Sequence, residues 1–122
     1  MEWRKARRSV RKKLVEKIDE ILKIFRSAKR WTQGYYAKDQ HGTWTHLESP
    51  EAKSWCLTGV LVKVCSLSLY LQLYDVIKET ILQLHPENNS GIVYWNDKKS
   101  TTIQDVRAVL RLAKKNILAT LD

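Results

Sequence analysis

Val10, Leu14, Ile18, Ile21, Leu22 and Phe25 recur at steps of three and four residues. That spacing lays one apolar stripe along a helix. It constrains the fold more than any other feature, because a stripe of this length must be covered by other parts of the chain. The stripe fails upstream. Projected backwards, the same face carries Arg4, Arg7 and Arg11, with Trp3 and Ala6 as its only apolar members. The segment therefore divides in two. Val10 to about Ala28 is expected to pack on a core, and Met1 to Ser9 to overhang it, fray or meet a partner.

Charge follows the same division. The first thirty residues hold twelve Lys and Arg against Glu2, Glu16, Asp19 and Glu20, a net +8 of the chain's formal +9. The remainder is close to neutral. A basic excess of this size favours anionic partners: nucleic acid, anionic lipid or an acidic protein face. Cations at a helix N-terminus also oppose the macrodipole, by a few tenths of a kcal/mol each. An anion would relieve that opposition.

At 122 residues with 43% hydrophobic side chains, residues 1–122 are expected to form one folded domain. Four glycines and two prolines favour helices. Cys56 and Cys65 placed on one helix would lie about 13 Å apart along its axis and on opposite sides. A disulfide needs Cα atoms within about 7 Å. Reduced thiols and a cytoplasmic location are expected. Met1 is followed by charge and not by a secretory apolar run. The longest apolar stretch, Cys56 to Leu73, is interrupted by Lys63 and Gln72 and is a poor membrane span.

Beyond Gly34, Asp39 to Gly42 reads as a turn between aromatic and Thr residues, predicting a hairpin of Tyr35–Lys38 with Thr43–His46. Ser49-Pro50-Glu51 reads as a helix start, with Ser as cap and Pro at the first position. The helix it opens is expected to run to about Ser66 through the middle of the domain. Gly59 inside it costs about 1 kcal/mol against Ala, and close approach of another backbone is the expected reason. Ser68 is expected to cap a helix with a stripe of Tyr70, Leu73, Tyr74, Ile77, Ile81 and Leu84. Ile92 to Asp97 reads as an extended segment. Thr102 with Asp105 approximates a capping box for a last helix carrying Ile103, Val106, Val109, Leu110, Ala113 and Ile117 on one side. Arg107, Arg111, Lys114 and Lys115 fall towards its other side.

Trp31-x-x-Gly34, the aspartate–glycine turn, Trp55-Cys56-x-x-Gly59, Trp95-Asn96-Asp97 and Thr102-x-x-x-Val106 occur in an order that resembles a family of small bacterial and phage proteins of unknown function. The resemblance covers about Phe25 to Leu121. It implies a small, largely helical domain and carries no activity. The family often has Arg immediately before the Thr that opens the last helix, where this chain has Thr101.

Individual residues support few chemistries. Cys56 near a helix start, with His41 or His46 in reach, would make a nucleophilic site. A small buried hydrophobe is the commoner role of a free Cys, and no Gly-rich oxyanion loop accompanies it. Cys56, His41, His46 and Asp97 lack the ligand-pair spacing of a metal site. Asp97 can act as acid or base, though Asn96 and Asp97 more often bond a turn while a Trp fills the core. Trp3, Tyr35, Tyr36 and Trp44 are the aromatics left for exposed contacts.

The reading that follows is a mainly α domain of four helices with a short β-hairpin between the first and second. Its expected function is non-enzymatic binding, with Arg4, Lys5, Arg7, Arg8, Arg11, Lys12 and Lys13 gripping an anionic partner. Nucleic acid leads, ahead of an acidic protein surface. No cofactor or metal is expected. A small enzyme built on Cys56 or Asp97 is the alternative from another class. Membrane-surface association through the basic helix is a third.

Overall fold

The computed structural model describes residues 2–121. It is mainly helical, with five α-helices and a small two-stranded antiparallel sheet. Two long helices frame it. Helix α1, Arg8–Ile24, buries Leu14, Ile18 and Ile21, and Phe25 continues the same face into the core. Each such burial is worth roughly 1.5–3 kcal/mol against exposure, so the periodic stripe does what its spacing requires. Helix α5, Ile103–Leu118, buries the whole predicted set from Ile103 to Ile117. Its capping box is formed in both directions. The Thr102 hydroxyl accepts from Asp105 N (3.2 Å) and the Asp105 carboxylate accepts from Thr102 N (2.8 Å).

The two helices run antiparallel. Arg107 of α5 donates from Nε to Phe25 O (2.9 Å) at the end of α1. At the other end Arg8 donates to Leu121 O, and Arg11 Nη1 to Thr120 O (2.7 Å). Helix α3, Leu67–Leu84, packs against both and buries Leu73, Val76, Ile77 and Ile81. No helix among the described residues is long and apolar enough to cross a membrane.

The middle of the chain departs from its sequence reading. The Asp39 turn forms: Asp39 N donates to Thr43 O (2.9 Å), and Asp39 Oδ1 accepts from His41 N and Thr43 N. Those amides, Thr43 first, hold the Asp39 carboxyl below its ordinary range. Thr43–His46 forms the expected pairing only in part: Trp44 bridges Lys38 and Thr45 N donates to Ala37 O (3.2 Å), without making a strand. The strand partner of β1, Ala37–Lys38, is β2, Ser54–Trp55, with Ala37 opposite Trp55 and Lys38 opposite Ser54.

That pairing also cancels the helix start expected at Ser49. Lys53 N donates to Lys38 O (2.8 Å) and Cys56 N to Tyr36 O (3.2 Å), so these amides serve the sheet edge and not a helix. Ser49 caps a single turn, accepting from Glu51 N. Helix α2 begins only at Leu57 and ends at Val64, with Cys56 as its cap. Its neighbour α3 is capped by Ser66 and not Ser68.

The fifth helix is α4, Gly91–Asp97, where an extended segment was expected. Ile92, Trp95 and Asn96 are its buried members. That three-and-four spacing is helical, but it is too short to stand out within a β-branched and aromatic run.

The leading segment does not overhang. Trp3–Lys5 forms a 3-10 turn against α3, with Trp3 1% exposed. The Trp3 indole Nε1 donates to Glu79 Oε2 (3.1 Å), and Arg4 bridges Glu79 and Glu2 at 3.1 Å each. A large indole with a hydrogen-bond partner within reach outweighs the charge around it. Trp3 had counted as a candidate for exposed contact, and the structure places it in the core.

Candidate functional site

Of the seven basic residues expected to grip a partner, three are bonded within the domain. Arg4 is engaged by Glu79 and Glu2, which raise its pKa, Glu79 first. Arg8 and Arg11 reach back to carbonyls near the chain's end, and Arg11 is half-buried. Arg7 precedes α1. Lys5, Arg7, Lys12 and Lys13 stay exposed. Lys12 and Lys13 point about 100° apart around the helix.

Cations do converge at the other end of the α1–α5 seam. Lys23, Arg26, Arg107, Arg111 and Lys114 line an open groove of about 610 Å³, together with Leu22 and one acid, Asp19. Lys114 Nζ meets Asp19 Oδ1 at 2.7 Å. Arg107 spends its donors on the carbonyls of Phe25 and Arg26, which are neutral and leave its charge uncompensated. The groove thus carries five positive side chains against one carboxylate. On α5 the three cations follow at i, i+4 and i+7, a run of about 10 Å along one flank. That spacing was readable. Its meeting with Lys23 and Arg26 depends on how the helices pack.

A second concavity, of about 320 Å³, opens between the segment leading into β1, the cap of α2 and α4. It is lined by Gly34, Tyr35, Tyr36, Trp44, Cys56, Val93 and Asp97. Cys56 and Asp97, the two residues of the enzymatic alternative, therefore share one wall. The thiol is poorly disposed to react. It is 2% exposed, and its Sγ accepts from Gly59 N (3.3 Å). Burial raises its pKa despite its place at a helix N-terminus. Neither His41 nor His46 lines the cavity, and His46 packs on Trp44 instead, with ring centroids 5.2 Å apart.

One side-chain amide organises this region. Asn96, fully buried, accepts at Oδ1 from Trp31 Nε1 (2.8 Å) and from Leu57 N (3.0 Å) at the start of α2. Its Nδ2 donates to Thr32 O (3.1 Å) and Asp97 Oδ1 (2.9 Å). Asp97 Oδ1 also accepts from Gly34 N (2.9 Å). Gly34 has φ +89°, a conformation that L side chains rarely adopt. Gly59 meets the same region from below: a Cβ there would lie 3.0 Å from Tyr36 C and closer still to its oxygen. The motifs Trp31-x-x-Gly34, Trp55-Cys56-x-x-Gly59 and Trp95-Asn96-Asp97 are thus one interlocked structural node. Thr101 is buried and donates to Trp95 O (2.7 Å).

A family model matches residues 12–116. The chain belongs to DUF6197, a family of unknown function. The match starts well before Phe25, so α1 from Lys12 onward lies within the family domain, while Trp3 and Arg4 to Arg11 precede it. No curated protein and no solved structure matches the chain. Membership in DUF6197 brings no residue role with it.

Proposed function

We propose that this domain is a non-enzymatic binding module that engages nucleic acid through the cationic groove between α1 and α5. The observation that carries the proposal is the grouping of Lys23, Arg26, Arg107, Arg111 and Lys114 around a single carboxylate. Arg26 and Arg111 can fit phosphate oxygens with paired donors, while Arg107, bonded to the carbonyls of Phe25 and Arg26, adds its charge. Their line along two antiparallel helices suits a chain of phosphates better than one small anion. Binding of this kind is driven by phosphate contacts and counterion release, without base reading. The exposed Lys5, Arg7 and Lys12 would add long-range attraction. The free thiols of Cys56 and Cys65 fit a reducing, cytoplasmic setting.

The other classes draw less support. A thiol-based reaction needs an accessible thiolate, and Cys56 is buried with its pKa raised. Lipid association through α1 needs its apolar stripe, which the core occupies.

The test is fluorescence anisotropy with labelled duplex and single-stranded oligonucleotides across a salt series. Log K should fall linearly with log salt, with a slope of about −0.9 per phosphate contacted on duplex. Lys23→Ala, Arg26→Ala and Arg111→Ala together should weaken binding at least tenfold and flatten that slope by about two to three. Lys5→Ala with Lys13→Ala should matter much less. Absence of binding at low salt, or a groove triple variant that binds like the parent, overturns the proposal. Binding only to an acidic protein surface would reassign the groove to that partner.

A further inference from the structure

The concavity beside α4 shares no residue with the cationic groove and has the opposite character. Tyr35, Tyr36 and Trp44 are 53%, 51% and 55% exposed, whereas Trp3, Trp55 and Trp95 are buried. Three large rings left half in solvent around one cavity, in a domain that buries Trp3, Trp55 and Trp95, are a costly arrangement unless something covers them. The rings stand on a rigid base. Tyr36 is clamped against Gly59, and the Asn96 node holds Gly34 to Asp97. Trp44 is braced by its bridge to Lys38 and by His46.

Asp97 sets the chemistry of the cavity. The chain has 22 Lys and Arg, yet Asp97 forms no salt bridge among the described residues. Its Oδ1 is anchored by Gly34 N and Asn96 Nδ2. Its Oδ2 accepts no hydrogen bond from the described residues. The adjacent Lys98 sits over the Tyr94 ring at 5.7 Å. One ring of the cavity already attracts a cation, since Lys38 Nζ stands 5.6 Å from the Tyr35 centroid. Aromatic faces attract cations through their quadrupoles, and weakly hydrated alkylammonium groups most usefully, because they lose little water on entry. A carboxylate without a counter-ion at the edge of such a cavity adds a field of the same sense.

We propose that the cavity formed by Tyr35, Tyr36, Trp44 and Asp97 is a binding site for an alkylated ammonium group, either of a free small molecule or of a methylated lysine side chain. Its volume of about 320 Å³ accommodates a trimethylammonium head with room for a chain leading out. Cys56 and Val93 supply apolar wall and take no chemical part.

The experiment titrates the full chain with choline and with its uncharged carbon isostere 3,3-dimethylbutanol, reading the Trp44 indole N–H by NMR and binding heat by calorimetry. A short peptide carrying trimethyllysine forms the third arm. Choline or the peptide should bind at least tenfold more tightly than the neutral isostere, and the tighter of the two identifies the source of the group. Asp97→Asn keeps an oxygen for Gly34 N–H but loses the charge, and should weaken cation binding about five- to tenfold. Trp44→Leu, at an exposed position, should weaken it tenfold or more. Equal binding of choline and isostere, no shift at the Trp44 N–H with any ligand, or full affinity in both variants overturns the proposal.

Discussion

A methyl group at position 59 has nowhere to go. The Tyr36 carbonyl occupies the space that a side chain would fill, and the same oxygen accepts from Cys56 N. Ala is the better helix former by about 1 kcal/mol, but displacing backbone costs more. Gly59→Ala should therefore lose a net 2–3 kcal/mol or so in urea unfolding. An unchanged midpoint would show that β1 yields freely. The thiols make a separate expectation. Burial raises both, Cys65 to about 11. In the unfolded chain they ionise near their ordinary value, so above about pH 9 the unfolded state sheds protons that the folded state keeps, for Cys65 up to about pH 11. The stability they contribute is complete below pH 9 and falls across that window. Alkylation at neutral pH should be slower at both than at a free model thiol. Fast labelling of Cys56 at pH 7 would contradict its placement.

Among the elements, the contrast between two caps is instructive. Ser49-Pro50-Glu51 and Thr102-x-x-Asp105 look equally like helix starts. Only the second opens a helix. From Lys53 the amides turn to β1 and the residue before it, and a local preference worth about 1 kcal/mol does not outlast that competition. Thr102→Ala should cost about 1 kcal/mol, while Ser49→Ala should stay within about 0.5 kcal/mol. Denaturant midpoints of the two variants decide it, and equal costs would mean that the turn at Ser49 is worth as much as a helix cap. The hairpin reading held in part, since Trp44 bridges Lys38 and Thr45 N donates to Ala37 O. Its turn was legible in Asp39 to Gly42, but the strand pairing of β1 is with β2, which brings the buried Trp55 and Ser54 with it. Helix α4 was missed because seven residues carry too few repeats to show a period.

Taken as one body, the domain is closed by its two ends. Trp3 docks on α3, and Arg8 and Arg11 hold the carbonyls of Leu121 and Thr120. A chain starting at Val10 loses Trp3 and Arg8 and keeps only Arg11 of these attachments. Its melting temperature should fall by about 10 °C or more, since truncating a buried Trp alone costs about 3–5 kcal/mol. An unchanged melting temperature would restore the view of a loose leading arm. Below the transition, the shortened chain should still bind through the α1–α5 groove, which separates folding from recognition.

Periodicity and capping chemistry in the sequence alone were sufficient for the apolar faces of α1 and α5, the α5 cap and the close approach at Gly59. Each depends on neighbours in the chain or on a side chain too small to mistake. The whereabouts of charge and aromatic surface were not readable in this way. Trp3 went inward because Glu79, 76 residues away, receives its N–H. Lys23 and Arg26 met Arg107, Arg111 and Lys114 because two helices far apart in sequence lie side by side. Such neighbourhoods are set by packing, which long-range contacts decide and local sequence only permits.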